Sequence, residues 1–291
     1  MRIILLYIVF IFCAFGSKGQ NEVCRKSTEG TDFWFGFMES RNYQSDHYLE
    51  ITITASEATT FRITTGPQEQ PFGGVYSIEA NSSIPVNIPW KLVEAIGSEE
   101  IEDKGIRLFS EKPVNVYALN WNQNSADVAV IYPVGSLGTE YFGMCYYPDI
   151  DMTDPETGNG RNSEFLIVAI ENATTVEITP SRVTHKLIPK DSTFTVVLNK
   201  GQVYQVQSEN LPGTRQEGQG DLTGSHIKSN KPVAFYSGSL STQVPTGKCC
   251  WDHLYEQIPP VHSWGLEYYL TPLKTRKQDR YRIIASQNNT H

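Results

Sequence analysis

The sequence has no basic stripe, no long apolar run after its first nineteen residues and none of the short motifs that announce common enzymes. Its 24 Lys and Arg are outnumbered by 32 Asp and Glu, a formal net charge of −8. Phosphate binding needs clustered cations, so a nucleic-acid surface is not expected. No later stretch has the roughly 20 apolar residues of a membrane-spanning helix. There is no Gly-x-Ser-x-Gly elbow and no His-Glu-x-x-His pair. Thr246-Gly247-Lys248-Cys249 ends like a phosphate loop but lacks the first Gly and the closing Ser or Thr, and Gly158-Asn159-Gly160 lacks the third Gly of a dinucleotide fingerprint. Charged residues make up only 19% of the chain and aromatics 11%. That balance suits packed β-structure better than a helical or disordered chain.

The first nineteen residues read as a secretory leader. Arg2 gives a short positive start, residues 3–15 are apolar but too short to span a bilayer comfortably, and Ser17 and Gly19 are the small residues a signal peptidase needs. Cleavage is expected near Gln20; the large Phe12 before Cys13 argues against a lipid anchor. Export leaves four cysteines: Cys24, Cys145, Cys249 and Cys250. In an oxidising compartment an even count suggests disulfides. Joining Cys249 to Cys250 is disfavoured, because adjacent Cα atoms sit about 3.8 Å apart, below the usual disulfide range. Each of the pair is expected to reach back to Cys24 or Cys145; free buried thiols are the alternative.

What the chain does have is an internal repeat. Gly105-Ile106-Arg107-Leu108-Phe109-Ser110-Glu111-Lys112-Pro113-Val114-Asn115-Val116-Tyr117 returns as Gly224-Ser225-His226-Ile227-Lys228-Ser229-Asn230-Lys231-Pro232-Val233-Ala234-Phe235-Tyr236. Gly30-Thr31-Asp32-Phe33-Trp34 matches Gly138-Thr139-Glu140-Tyr141-Phe142 and Gly265-Leu266-Glu267-Tyr268-Tyr269, and Ile131-Tyr132-Pro133-Val134 matches Ile258-Pro259-Pro260-Val261. The predicted organisation is a leader (1–19), a lead-in (20–29), a first β module (30–137), a second (138–264) and the opening of a third, truncated one (265–291).

Residues 48–55 alternate Leu49, Ile51 and Ile53 with Glu50, Thr52 and Thr54, the period of a half-buried strand. Short strands are also predicted at 61–65, 75–78, 84–88, 106–109 and 114–119, with a short helix near 90–96. The second module carries about seven strands in a little over a hundred residues. The fold class is all-β: tandem antiparallel β-sandwich-like modules. A β-propeller-like arrangement is the alternative, although blade repeats are usually nearer 40–50 residues. Lys112-Pro113 and Lys231-Pro232 are read as the starts of hairpin strands, where Pro is tolerated.

The run Asp252-His253-Leu254-Tyr255-Glu256-Gln257-Ile258-Pro259-Pro260, followed by Trp264-Gly265, resembles the IgGFc-binding protein N-terminal domain family. So do Gly30-Thr31-Asp32-Phe33-Trp34, Asp221-Leu222-Thr223-Gly224 and Tyr281-Arg282-Ile283-Ile284-Ala285-Ser286. The resemblance covers nearly all of the mature chain. It implies a secreted or cell-surface binding or adhesion module that engages a glycoprotein, a mucin or another surface polymer, with antibody Fc suggested only by the family's name. It marks Asp252, His253, Glu256, Trp264 and Gly265 as family-motif positions and supplies no ligand residue. A structural stalk is the alternative function, a hydrolase the third, and no enzyme activity or cofactor is expected.

Two metal readings are weighed against simpler ones. Asp149, Asp151, Asp154 and Glu156 form an acidic loop that is either merely solvated or a calcium site. Cys250, Asp252, His253 and Glu256 form either a mixed zinc site or a capped connector in which Asp252 bonds local amides. Asn81, Asn172 and Asn288 stand in glycan-acceptor sequons near predicted turns.

Overall fold

In the computed structural model the described residues are 27–40, 47–122, 125–148, 161–210, 218–245, 247–275, 279–288 and 290. The chain is all-β, with two antiparallel sheets, one a half-barrel and the other nearly closed. In order, the elements are β1 (Gly30–Phe35), β2 (Tyr48–Ala55), β3 (Thr59–Thr65), β4 (Gln70–Ile78), β5 (Ser82–Ile88), α1 (Trp90–Val93), β6 (Ile101–Glu102), β7 (Ile106–Asn122) and β8 (Ser125–Ile131). After them come β9 (Gly138–Phe142), β10 (Ser163–Ala169), β11 (Thr174–Thr179), β12 (Phe194–Leu198), β13 (Val203–Gln207), β14 (His226–Thr242) and β15 (Asp252–Gln257). Single 3₁₀ turns, Val134–Ser136 and Val261–Ser263, follow Pro133 and Pro260.

Each sheet is built on one long strand that changes partners half-way. The first part of β7 lies between β1 and β3, and its second part between β2 and β8. β14 does the same with β9 and β11, then β10 and β15. The change falls at the Lys-Pro-Val phrase, so the hairpin expected there is replaced by a bulge inside one continuous strand. Between Gly30↔Val114 and Asp32↔Phe109, and again between Gly138↔Val233 and Glu140↔Lys228, the long strand carries extra residues. The chemistry of the phrase fits this role. Pro113 and Pro232 offer no N–H where the ladder is broken. Ser110 Oγ donates to the Lys112 carbonyl at 2.8 Å, and Ser229 Oγ to the Lys231 carbonyl at 2.6 Å, satisfying a group the bulge leaves over.

The faces differ between the sheets. β2 alternates buried and half-buried residues as its sequence predicts, with Glu50, Thr52 and Thr54 half-exposed. Counted from the Lys-Pro-Val phrase, the same ladder positions in β10 are Glu164, Leu166 and Val168. All of β10 is buried. Its Phe165, Ile167 and Ala169 line the second sheet's own core with Val206 and Phe235. Leu166 and Val168, with Val203, Ala234, Tyr236 and Tyr255, join the core of the first sheet, which includes Phe33, Phe35, Phe37, Leu49 and Ile51. Each such buried side chain contributes roughly 1.5–3 kcal/mol. The second sheet therefore packs its outer face into the concave first one.

Backbone contacts reinforce the join. β6, from the first half of the chain, pairs with β13 at the edge of the second sheet. At this end of the join the Gly66 N–H bonds the Gly105 carbonyl (2.8 Å), and the Gly105 N–H bonds the Gly201 carbonyl (2.9 Å). Arg107 bridges Asp32 and Glu69, and Glu69 also meets Lys200 from the other side.

Gly201 has φ +79° and sits so close to the neighbouring turn that a Cβ would lie 2.6 Å from the Gly66 carbonyl group. Gly201→Ala is expected to lose about 3 kcal/mol or more, by clash and left-handed strain together. A Cβ at Gly74 meets nothing within 4 Å, so Gly74→Ala is the control. Urea unfolding of both variants checks this; equal midpoints would mean the two turns part without cost.

Candidate functional site

The motif strand β15 lies where the two sheets meet. The sequence offers it as either a mixed zinc site or a capped connector; it is a strand, paired with β14 through Tyr236↔Gln257, Gly238↔Tyr255 and Thr242↔Asp252. Its other edge is capped by side chains of β8. Ser125 Oγ accepts the His253 N–H at 2.7 Å and Asp127 Oδ2 accepts the Tyr255 N–H at 2.8 Å. In return Gln257 Oε1 accepts the Tyr132 N–H at 2.6 Å. A strand edge that would otherwise expose unpaired amides is thus closed by polar residues of the first sheet. His253, Tyr255 and Gln257 point inward and are buried. Tyr255 stacks on Tyr236 and Phe37, and its hydroxyl donates to the Gly36 carbonyl at 2.7 Å.

Beside this strand a polar network is sealed between the sheets. Glu39, Glu94, Glu164, Gln205, Gln207, His47 and His253 are all buried. Glu39 Oε2 accepts from the Gly97 N–H (2.7 Å) and from Gln207 Nε2 (2.9 Å). The same Gln207 Nε2 donates to Glu164 Oε2 at 2.9 Å, so one amide group ties a carboxylate after β1 to one on β10. Gln205 Oε1 accepts the Glu39 N–H and Gln205 Nε2 donates to the Gly97 carbonyl. Glu94 accepts the Ser40 N–H at 2.8 Å and lies 3.1 Å from His47 Nε2. His253 Nδ1 donates to the Ser239 carbonyl at 3.0 Å. Glu164 Oε1, Gln207 Oε1 and His253 Nε2 are buried with no hydrogen-bond partner among the described residues. None of Glu39, Glu94, Glu164 and His47 stood out in the sequence; they come from four separated segments, and only the fold brings them together.

Burial sets the protonation of this network. Desolvation, then repulsion from Glu39, holds the Glu164 carboxyl well above 4.5. Desolvation drives His253 down to about 4, against the opposing pull of Glu94. On the outer face of β15, desolvation and then Asp127 lift Glu256 to about 7, although the residue keeps an exposed side. Asp252 is also raised by desolvation.

The proposed zinc set does not converge. Successive strand residues face opposite ways: Asp252 and Glu256 point out, while His253 points in and is held by a carbonyl. Cys250 is bonded to Cys249. That pairing differs from the expected one, in which each of the two reaches back to Cys24 or Cys145. Cys145 is free, with its buried thiol pushed up to about 12 by desolvation. Cys24 and the acidic loop of Asp149, Asp151, Asp154 and Glu156 lie outside the described residues. Among the described residues no three His, Cys, Asp or Glu side chains gather as a metal site. Trp264 Nε1 donates to the Pro259 carbonyl at 3.0 Å, and the Gly265 N–H donates to the Tyr268 hydroxyl at 2.8 Å.

A family model described as "IgGFc binding protein" matches residues 127–291, from β8 through β15 to the end of the sequence. The chain belongs to the IgGFc-binding protein family. The human (Homo sapiens) IgGFc-binding protein is 28% identical over 279 residues, which is 94% of this chain but 5% of the human protein. The chain thus spans a small part of this curated relative. No solved structure matches. Among the described residues no helix is long and apolar enough to cross a membrane.

Two opposite pH responses follow. The folded chain holds the Glu164 proton more tightly than the unfolded chain does, so this group's contribution to stability is full below pH 4.5 and declines as pH rises toward the folded value. Glu164→Gln is expected to raise the melting temperature at pH 8 relative to pH 4.5, and an unchanged pH profile would contradict the assignment. His253 runs the other way: its contribution is full above 6.5 and is lost as pH falls toward about 4, on the order of 3 kcal/mol. His253→Gln should flatten that acid limb in thermal melts.

Proposed function

We propose that this chain is a non-catalytic extracellular binding module, exported by the leader at 1–19, which engages a glycoprotein, a mucin or another surface polymer. Family membership is the observation that carries the reading. The disposition of the motif supports it. In an enzyme, His253 and the carboxylates would be the natural acid and base groups. Here His253 and Glu164 are sealed between the sheets, and Asp127 is spent on capping the motif strand. The two sheets, each with its long strand bulged at Lys-Pro-Val, are read as copies of one repeat unit. Asn81, Asn172 and Asn288 lie exposed, as glycan acceptors need to.

Antibody Fc is a ligand to be tested and not assumed, because that name belongs to a much longer human protein. A second reading, a stalk that spaces other domains, is favoured by the extensive join between the sheets, which makes the pair a stiff unit.

Surface plasmon resonance on the immobilised secreted chain separates the two. Purified IgG Fc, a gel-forming mucin and an unglycosylated control protein are passed over it. The binding reading expects a saturable response to a glycoprotein that the control does not give. Flat responses to all three would remove that reading and leave the stalk.

A further inference from the structure

The segment after the second 3₁₀ turn forms no β-ladder among its described residues, and Leu266, Tyr268, Tyr269 and Ile283 are exposed. Arg282 is different: its guanidinium is inserted into the end of the second sheet. Nη1 donates to the Cys145 carbonyl and to Thr223 Oγ1 (2.6 Å), and Nη2 donates to Asp221 Oδ2 at 2.7 Å. The guanidinium carbon stands 4.2 Å from the centre of the Tyr146 ring. Asp221 is 8% exposed.

The walls of this site are fixed by bonds that do not involve Arg282. Asp221 Oδ1 accepts the Thr223 N–H at 2.9 Å, and Thr223 Oγ1 donates to the Cys145 carbonyl at 2.8 Å. Between them, Leu222 is fully buried and its N–H bonds Ser163 Oγ at 3.0 Å. Tyr146 stacks on Tyr147, and its N–H bonds the Gly238 carbonyl at 3.2 Å. A carboxylate, a hydroxyl, a carbonyl and an aromatic face are therefore arranged in advance. That set suits a planar fork of donors, which can bond in two directions while it stacks. A lysine ammonium would lose both the plane and one of the directions. Arg280, two residues earlier, is exposed.

We propose that Asp221, Thr223, the Cys145 carbonyl and the Tyr146 ring form an arginine-recognition socket, filled here by Arg282, that fastens the downstream segment to the second sheet. Its ligand class is an arginine side chain on an extended peptide. The pre-bonded walls are what make the site a receptor for arginine and not an incidental ion pair. A surface pair alone would hold the segment weakly; charge-assisted bonds over an aromatic floor hold it more firmly.

Two measurements test this. In limited trypsin digestion of the intact chain, cleavage after Arg280 is expected to be rapid and cleavage after Arg282 slow. Asp221→Asn should speed the second cut roughly tenfold, the loss of one charge-assisted bond, while the melting temperature of the sheets stays put. In the second measurement, the acetylated, amidated peptide Tyr-Arg-Ile is titrated into the Arg282→Ala variant and followed through Tyr146 by NMR. Saturable binding is expected, roughly tenfold weaker for Tyr-Lys-Ile, and lost when Asp221→Asn is combined with Arg282→Ala. Equal cleavage after both arginines, or peptide binding indifferent to lysine or to Asp221→Asn, would overturn the proposal. Protection of Arg282 that vanishes on dilution would place a second copy's arginine in the socket and overturn the fastening within one chain.

Discussion

One strand in each sheet must hydrogen-bond to four others, and the rest of the architecture follows from how it does so. A straight strand has two edges and can hold two neighbours. β7 and β14 hold four each by breaking their ladders at a proline and resuming with new partners. The bulge turns the strand, the turn curls the sheet, and the curl gives the first sheet a hollow that the second can fill. The serine two residues before each lysine is the small part that makes the break tolerable.

Filling that hollow places the second sheet between two apolar surroundings, and its outer face had to change character. Thr52 and Thr54 of the first sheet meet water; Leu166 and Val168, at the same ladder positions, meet the first sheet's core. Glu50 and Glu164 show the exception. Both are glutamates, but one bonds the neighbouring Thr52 hydroxyl at the surface, and the other is enclosed with Glu39 and Glu94. A buried carboxyl of this kind holds its proton more tightly than an exposed one and leans on amide donors such as Gln207. The network is an ordered polar layer in an otherwise apolar join. Its value lies in orientation, because apolar contacts alone fix the relative placement of two sheets only loosely.

Much of this was legible in the residues. The alternation of Leu49, Ile51 and Ile53 announced β2, the all-β class followed from composition and turn spacing, and the family was readable from the Asp-His-Leu and Glu-Gln run. The recurring Lys-Pro-Val phrase was visible, but its role as a mid-strand bulge was not, since a proline after a polar turn looks the same at a strand's beginning. β8 and β15 escaped because Ser125, Asp127, Asp252 and Glu256 make their exposed positions polar, and their pairing is with residues far away in sequence. The sealed network escaped for a stronger reason. Nothing local distinguishes Glu164 from Glu50; only the packing of one sheet on another decides which of them loses its water.

The two-residue strand β6 has a consequence for how such proteins can be taken apart and recombined. It is donated by the first half of the chain to the edge of β13, while β8 caps the edge of β15 in the same direction. A cut at residue 137 therefore strips the second sheet of two edge protectors and bares the apolar face formed by Leu166, Val168 and Tyr236. The smallest unit that can be transplanted into a new context without leaving sticky surfaces is the interlocked pair of sheets, because neither sheet covers its own apolar face.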